Sequence, residues 1–233
     1  MKAWQIALER QLSAAEAPGV LTLGALARAA AMNRGAPVED SSLHHWIKSA
    51  IATDRLRRVQ RGLYLNGFRS PPGRAAEAAG HLRRDAIVSL HTALADAGVL
   101  NNPPTIITAV VPIDKRASAP TLGTVRTEVG IFSFRGLPRR LLEAGDAGDR
   151  LDLTGHPNFP CASAEKALLD WLYLAASPRS NLAAPARHDV DVDAMDTRKL
   201  RRLARTMNLH AILDSWLLPG RHARAVRMAG RRR

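Results

Sequence analysis

Apolar residues at the start of the chain recur every three to four positions, which is the spacing of an amphipathic helix. The apolar face of this first predicted helix, within residues 1–17, consists of Trp4, Ala7, Leu8 and Leu12. Pro18-Gly19 predicts its end. Val20-Leu21 then predicts a short strand, and Thr22 is placed as the N-cap of a second helix over residues 23–32.

A third helix is predicted over residues 41–52, after a turn at residues 33–37. Its apolar side chains stand at i, i+3, i+4 and i+7 and are Leu43, Trp46, Ile47 and Ala50. Ser41 or Ser42 is expected to cap this helix, with Asp40 near the positive end of its dipole.

Apolar and basic residues alternate over residues 55–65, which predicts a strand pair. The apolar positions of this segment are Leu56, Val59, Leu63 and Leu65. Asn66-Gly67 is a turn signal. Residues 68–73 (FRSPPG) predict a linker, so the first domain is expected to span residues 1–70.

The pattern changes beyond the linker. Residues 75–83 and 86–97 favour helices, whereas the β-branched stretch at 105–111 (TIITAVV) and the alternating stretch at 125–134 predict strands. Two further helical stretches follow, at residues 161–176, with Ser163 near the start, and at residues 197–218. We therefore predict an α+β protein, with a mixed α/β second domain over residues 75–233.

The net charge of the chain indicates what kind of molecule the protein binds. The chain has 233 residues and a net charge of +13, which is the electrostatic signature of a polyanion-binding protein. Residues 1–74 and 151–233 each carry a net charge of +6, and residues 75–150 carry +1. A GC-rich genome, which favours arginine codons, accounts for some of the arginine but not for its clustering.

Two short helices followed by an arginine-rich hairpin form the plan of a winged helix-turn-helix, a module that binds double-stranded DNA. The third helix would enter the major groove, and its contacts would come from Ser41, Ser42, His44, His45 and Lys48. The hairpin would be the wing, contacting phosphates through Arg55, Arg57, Arg58, Arg61 and Tyr64. Taken alone, the third helix is at least as consistent with a solvated polar face, whereas the hairpin has more arginine than solubility requires. Together the two segments favour DNA binding.

A second basic cluster lies near the C-terminus. On a helix, four of its arginines share one face: Arg198, Arg201, Arg202 and Arg205. Lys199 belongs to the same cluster. Like charges stacked in this way repel one another, which suggests a counter-surface: nucleic acid, an acidic protein or the aspartates just upstream. A solvated face is the alternative.

Enzyme and metal signatures are weak. Asp189, Asp191, Asp193 and Asp196 resemble a calcium loop, but the expected glycine is missing and Leu200 stands at the twelfth position. The acid–x–Lys triplet of many magnesium-dependent nucleases is also missing, since Val129-Gly130 follows Glu128. We therefore expect no catalytic activity, no metal and no cofactor.

The number of cysteines and the hydropathy of the chain indicate the cellular location of the protein. Cys161 is the single cysteine, so no intrachain disulfide can form, and it is expected to be a buried small apolar residue. The start of the chain lacks an apolar signal core, and no run of 18 apolar residues occurs. These features predict a soluble, cytoplasmic protein that does not enter a membrane.

The layout resembles the AbiEi antitoxin family of type IV toxin–antitoxin systems. The resemblance covers about residues 5–215 and includes the N-terminal module ending in Arg-Gly-Leu-Tyr at residues 61–64. In the second domain it includes AIVSLHTALADAGV at 86–99, TIITAVVP at 105–112 and ASAEKALLDWLYLA at 162–175. The turn at residues 33–40 is longer than that of a compact helix-turn-helix, and it leaves the orientation of the recognition helix open.

The resemblance implies a bifunctional bacterial protein of an abortive-infection system. It would bind inverted repeats in its own promoter as a transcriptional repressor and neutralise a nucleotidyltransferase-like toxin without requiring a stable complex. By position, it implies DNA contacts by Ser42, His45, Lys48, Arg58 and Arg61. It carries no catalytic motif that maps onto this chain.

Two other functions fit the sequence. One is a ligand-responsive winged-helix transcription factor without a toxin, and the other is a nuclease-like DNA-processing enzyme. No heptad seam signals a dimer, so we expect a monomer in solution or a weak dimer on DNA.

Overall fold

The structure is a computed structural model that describes residues 2–102, 105–114, 121–144, 149–150, 152–178 and 180–218. The chain divides into two compact units. The N-terminal unit comprises Met1–Leu82 and Thr124–Phe132, and the C-terminal unit comprises Arg83–Gly123 and Ser133–Arg233. The division therefore falls later than the predicted boundary between residues 70 and 75, and a distant hairpin joins the first unit.

The described residues of the N-terminal unit form four helices, the last of them short, and a three-stranded antiparallel sheet. Its elements in chain order are α1 (Ala3–Leu12), β1 (Val20–Thr22), α2 (Leu23–Arg34), α3 (Asp40–Ala52), β2 (Leu56–Gln60) and β3 (Leu63–Asn66). A 3₁₀ segment (Ala75–Ala78) and the short helix α4 (Ala79–Leu82) follow. The strand order is β1-β3-β2, so β3 is central and β2 lies at an edge.

Local chemistry explains how α2 is bounded. Thr22 is its N-cap, as predicted, because the Thr22 hydroxyl accepts a hydrogen bond from Ala25 N at 3.1 Å. Gly35 ends the helix in the left-handed region at a φ of 74°, where glycine carries no steric penalty. The chain then extends to Asp40 before α3 begins.

The core of the N-terminal unit forms where the apolar faces of the helices meet the sheet. All four apolar residues predicted for α3 are buried, which confirms the period expected from the sequence. The wider cluster comprises Trp4, Leu8, Leu12, Leu21, Leu26, Ala30, Leu43, Trp46, Ile47, Ala50, Leu56 and Tyr64.

The C-terminal unit is mixed, with helices and strands interleaved along the chain. Its strands are β4 (Ile87–Val88), β5 (Ile106–Ile113), β6 (Gly123–Thr127), β7 (Gly130–Pro138), β8 (Glu143–Ala144) and β9 (Asp149–Arg150). Strand β6 and the start of β7 also form the hairpin that clusters with the first unit. Its helices are α5 (His91–Asp96), α6 (Ala164–Ala176), α7 (Thr197–Thr206) and α8 (His210–Leu217). One sheet has the order β4-β5-β7-β6, and β8 pairs with β9.

The protein is thus of the α+β class, as predicted, with helices and sheets in both units. The strong helix expected at residues 161–176 is α6, and the Ser163 hydroxyl caps it by accepting a hydrogen bond from Lys166 N at 3.2 Å. The helix expected at residues 86–97 is shorter, because Ile87–Val88 pairs with β5 and leaves only α5 helical. Within the described part of the chain, no helix is long and apolar enough to cross a bilayer.

Candidate nucleic-acid interface

Helix α3 separates its side chains cleanly into a buried and an exposed face. Its apolar face packs into the core, where Trp46 also stacks on Phe68 with ring centroids 5.8 Å apart and donates a hydrogen bond from Nε1 to Glu9 Oε1 at 3.2 Å. The opposite face exposes four of the residues predicted to contact DNA: Ser41, His44, His45 and Lys48. Because the buried face fixes the rotation of the helix, these four residues point to solvent together.

The start of α3 differs from the prediction. The helix begins at Asp40, and Glu39 occupies the N-cap position without a side-chain capping bond, so neither Ser41 nor Ser42 is the cap. Ser42 is half-buried and accepts a hydrogen bond from Lys2 Nζ at 3.4 Å. Asp40 lies in the first turn, as expected, where its negative charge interacts favourably with the positive end of the helix dipole.

The β2–β3 hairpin carries the arginines that were predicted for the wing. Its turn lies at Arg61-Gly62, where Gly62 adopts a φ of 77°. Arg57 and Arg61 are exposed and, among the described residues, have no ion-pair or side-chain hydrogen-bond partner. These two arginines are therefore free to meet an anionic partner.

The other two arginines of this segment already have partners. The Arg55 guanidinium lies 3.7 Å from Glu9 Oε2 and stacks over the Phe68 ring at 5.4 Å from its centroid. The Arg58 Nε lies 3.0 Å from Glu128 Oε1. Both arginines are still more than two-fifths exposed, so a polyanion can reach them only in competition with these internal partners.

Tyr64 does not belong to the exposed surface. Its side chain is only 6% exposed and is part of the core cluster. The alternating pattern predicted an outward tyrosine, but all four residues of β3 are buried, and Tyr64 lies in the core cluster with Leu21 and Leu56. We therefore remove Tyr64 from the candidate DNA contacts.

Sequence reasoning missed a structural role for Asn66. Its buried side-chain Nδ2 donates to Leu12 O at 2.9 Å and to Pro18 O at 3.1 Å, while Oδ1 accepts from Phe68 N at 2.9 Å. The Asn-Gly pair is a strong local turn signal, yet these long-range partners place Asn66 at the end of β3. Asn66 thus ties the sheet to the segment after α1.

A groove of about 480 Å³ opens between the end of α1, β1 and α2. Its buried lining includes Leu12, Leu21 and Leu26, which belong to the same core as α3. Gln11 and Glu16 lie on its exposed margin. A groove of this size is large enough for a small ligand.

The predicted basic face of the C-terminal unit lies on α7. All four of its arginines, Arg198, Arg201, Arg202 and Arg205, are exposed. Asp196 caps the helix by accepting hydrogen bonds from Arg198 N at 2.9 Å and Lys199 N at 3.0 Å. These hydrogen bonds, first that from Lys199 N, lower the pKa of Asp196. One of the upstream aspartates therefore serves the helix itself.

Lys199 points the other way and forms an electrostatic clamp with two carboxylates. Its Nζ lies 3.1 Å from Asp152 Oδ2 and 3.1 Å from Glu165 Oε2. Burial alone would raise the pKa of both carboxyl groups, but hydrogen bonds outweigh it and lower both pKa values. For Asp152 these bonds come from Ser163, Thr154 and Lys199. For Glu165 they come from backbone N–H groups, Lys199 and Ser163.

Several carboxylates that could serve nuclease or metal chemistry are occupied by other contacts. Asp114 Oδ2 accepts from Arg139 Nε at 2.9 Å, Glu128 pairs with Arg58, and Glu165 pairs with Lys199. Asp191 accepts from the backbone N–H of Asp193 at 3.2 Å. Within the described residues, no group of three His, Cys, Asp or Glu side chains is arranged to hold a metal ion.

A buried polar network in the C-terminal unit was not predicted. Lys166 and Asp170 form an ion pair on α6 at 1% and 0% exposure, and the Ser89 hydroxyl donates to Asp170 Oδ2 at 2.7 Å. Burial raises the pKa of Asp170. Nearby in sequence, His91 packs against Trp171 with ring centroids 3.7 Å apart and the rings tilted by 36°. Burial, followed by the charge of Arg135, lowers the pKa of His91.

Comparison with known proteins identifies no family. No protein-family model matches the chain, and no curated protein matches it. Among solved structures, the crystal structure of the Rv2827c protein from Mycobacterium tuberculosis is similar at 18% identity with a TM-score of 0.45. That match covers 91% of this chain and 78% of the other.

Proposed function

We propose that the N-terminal unit is a winged helix-turn-helix that binds double-stranded DNA, with α3 as the recognition helix and the β2–β3 hairpin as the wing. The observation that carries this proposal is the order of elements around one core. Helices α2 and α3 are followed directly by a hairpin that pairs with β1 in a β1-β3-β2 sheet. This topology leaves the polar face of α3 and the arginines of β2 exposed within one unit.

The chemistry of the exposed side chains matches such a ligand. Ser41, His45 and Lys48 offer donors and acceptors suited to base edges and phosphates in the major groove. Arg57 and Arg61, which are free of internal partners among the described residues, offer two phosphate contacts from the hairpin. The net charge of +13 adds long-range attraction to the duplex.

The experiment is a binding titration of the full chain against a labelled DNA fragment from upstream of its own gene and against a scrambled duplex. A sequence-specific repressor should prefer its own fragment by about 10³-fold or more. The logarithm of its binding constant should fall by roughly 3–4 units per decade of salt if about four cations contact phosphates. Equal affinity for both duplexes would contradict specific repression.

A triple variant then tests the assigned surface. Lys48→Ala, Arg57→Ala and Arg61→Ala together should reduce the salt slope by roughly 2–3 units, because each removed cation no longer releases a counterion. The matched control removes three exposed arginines of the C-terminal unit: Arg84→Ala, Arg140→Ala and Arg198→Ala. An identical loss in both variants would mean that only net charge matters.

We further propose that the protein is an antitoxin that represses its own operon. This half of the proposal is supported by the sequence resemblance to the AbiEi family, and α7 offers a candidate surface with four exposed arginines. Arg201→Glu, Arg202→Glu and Arg205→Glu together should abolish rescue of cells from the toxin encoded beside it while promoter binding is retained. Arg84→Glu is the control, and unchanged rescue by the triple variant would refute the role of α7.

A ligand-responsive repressor is the second candidate function, and the groove between α1 and α2 is the observation that favours it. Its buried lining shares a core with α3, so a bound molecule could shift the recognition helix. Co-expression separates the two functions: an antitoxin rescues cells from the neighbouring gene product, whereas a ligand-responsive repressor does not.

A further inference from the structure

The tip of the β6–β7 hairpin brings a carboxylate to the basic hairpin of the N-terminal unit. Residues Thr124–Phe132 cluster with this unit although they lie about 60 residues beyond β3 in the chain. The backbone N–H of Glu128 donates to Val59 O at 3.1 Å, and its Oε1 lies 3.0 Å from Arg58 Nε. One residue thus makes both a backbone and a side-chain contact with β2.

The position of β2 explains how this contact is possible. Because β2 is an edge strand of the β1-β3-β2 sheet, its outer side has unpaired backbone groups. The register of β2 also shifts between Arg58 and Gln60, so Val59 is left out of the regular pairing with β3. The Val59 carbonyl is therefore available to Glu128 N.

The Arg58–Glu128 pair is an exposed one. The Arg58 side chain is 46% exposed and that of Glu128 is 59% exposed. Exposed ion pairs contribute little to folding stability, since both charges are well solvated and screened. The carboxylate can therefore be displaced from Arg58 without unfolding the unit.

We propose that Glu128 is an internal competitor for DNA at the wing: it neutralises Arg58 in the free protein and must be displaced before Arg58 contacts a phosphate. This inference rests on the proposed DNA-binding function of the N-terminal unit. Arg57 and Arg61 have no such partner among the described residues, so the competitor acts on one arginine of the hairpin. Glu128 also places a negative charge beside the surface that a phosphate backbone must approach.

The test is Glu128→Gln in the full chain, because glutamine keeps the shape of the side chain and the backbone bond to Val59 but removes the charge. Binding to the upstream fragment should become about 3- to 10-fold tighter near 0.1 M salt. The salt slope should steepen by up to about 0.9, since Arg58 then neutralises a phosphate without losing a partner. Asp214→Asn is the matched control, an equal change of net charge at an exposed site on α8, and should change affinity by less than about twofold.

A double-mutant cycle separates competition from positioning. Arg58→Ala should weaken binding only slightly in the wild-type background, where Glu128 already neutralises Arg58, and more strongly in the Glu128→Gln background. If Glu128→Gln binds the fragment equally well or more weakly, Glu128 is not a competitor. If the wild-type chain binds no duplex, the DNA-binding proposal itself falls, and the competitor falls with it.

Discussion

Arg69 and Glu77 form a buried ion pair that closes the N-terminal unit. Arg69 Nη2 lies 2.8 Å from Glu77 Oε1, with the two side chains 6% and 5% exposed. Arg69 Nη1 also donates to Ala17 O at 3.0 Å, and Glu77 Oε1 accepts from Arg74 N at 2.9 Å. Residues 68–73 were predicted to be a linker, but these bonds tie them to the loop after α1.

Glu77→Gln should therefore destabilise the N-terminal unit by about 3–5 kcal/mol, because it leaves the buried Arg69 guanidinium without a counter-charge. Hydrogen exchange of the α1–α3 segment measures this loss within the intact chain. The double variant Arg69→Met, Glu77→Leu should recover much of the stability, since no buried charge remains. A single variant as stable as wild type would show that the pair does not hold this segment.

Gly73 allows a close approach between two backbone segments. A Cβ at this position would lie 2.1 Å from Gly19 O and 2.9 Å from Gly19 C, and neither atom belongs to a flexible side chain. Gly73→Ala should thus lower the free energy of unfolding by about 1–3 kcal/mol or more. Gly24→Ala on α2 is the control: its nearest neighbour is Arg28 Nη1 at 3.5 Å, and alanine should be neutral or stabilising there. Differential scanning fluorimetry compares the two.

Two substitutions of Tyr64 test whether this residue belongs to the core or contacts DNA. If it acts through the core, Tyr64→Phe should leave DNA affinity and melting temperature nearly unchanged, since the ring and its packing are retained. Tyr64→Ala should cost about 3 kcal/mol or more by opening a cavity. Thermal melts and the DNA titration measure both effects. A clear loss of DNA affinity in a fully stable Tyr64→Phe would return Tyr64 to the interface.

Local sequence signals predicted the parts of the fold that are set locally. The apolar period of α3 and the Thr22 cap depend on residues within one or two turns, and both are present in the structure. The hydrogen bonds of Asn66 to Leu12 and Pro18 join it to residues about 50 positions earlier. A single sequence does not reveal such distant partners.

In the candidate interface, too, the features set by nearby residues were predictable and those set by distant partners were not. The exposed face of α3 was predictable because the helical period also decides which residues are not buried. The pairing of Arg58 with Glu128 joins residues 70 positions apart and was not predictable. The burial of Tyr64 follows from the packing of the helices on its face of the sheet, which alternation along one strand does not reveal.

The Lys199 clamp predicts how the stability of the C-terminal unit depends on pH. The pKa values of Asp152 and Glu165 are lowered in the folded chain, and that of Lys199 is raised because hydrogen bonds and the two carboxylates outweigh burial. A carboxyl group whose pKa is lowered on folding stabilises the fold at pH above its unfolded pKa of about 4. This stabilisation is lost as the pH falls through the folded pKa. A lysine whose pKa is raised on folding stabilises the fold at pH below its unfolded pKa of about 10.5. This stabilisation is lost as the pH rises through the folded pKa.

Lys199→Met should therefore destabilise the C-terminal unit at neutral pH by about 2–3 kcal/mol, because it leaves two carboxylates without their shared cation. The difference from wild type should shrink as the pH falls from about 4 through the lowered pKa values at which the folded wild type protonates Asp152 and Glu165. Urea unfolding between pH 3 and pH 8 measures this difference. Arg198→Met, which removes an exposed cation from the same helix, should show little effect at any pH. A Lys199→Met deficit that stays constant down to pH 3 would mean that Lys199 acts through packing and not through its charge.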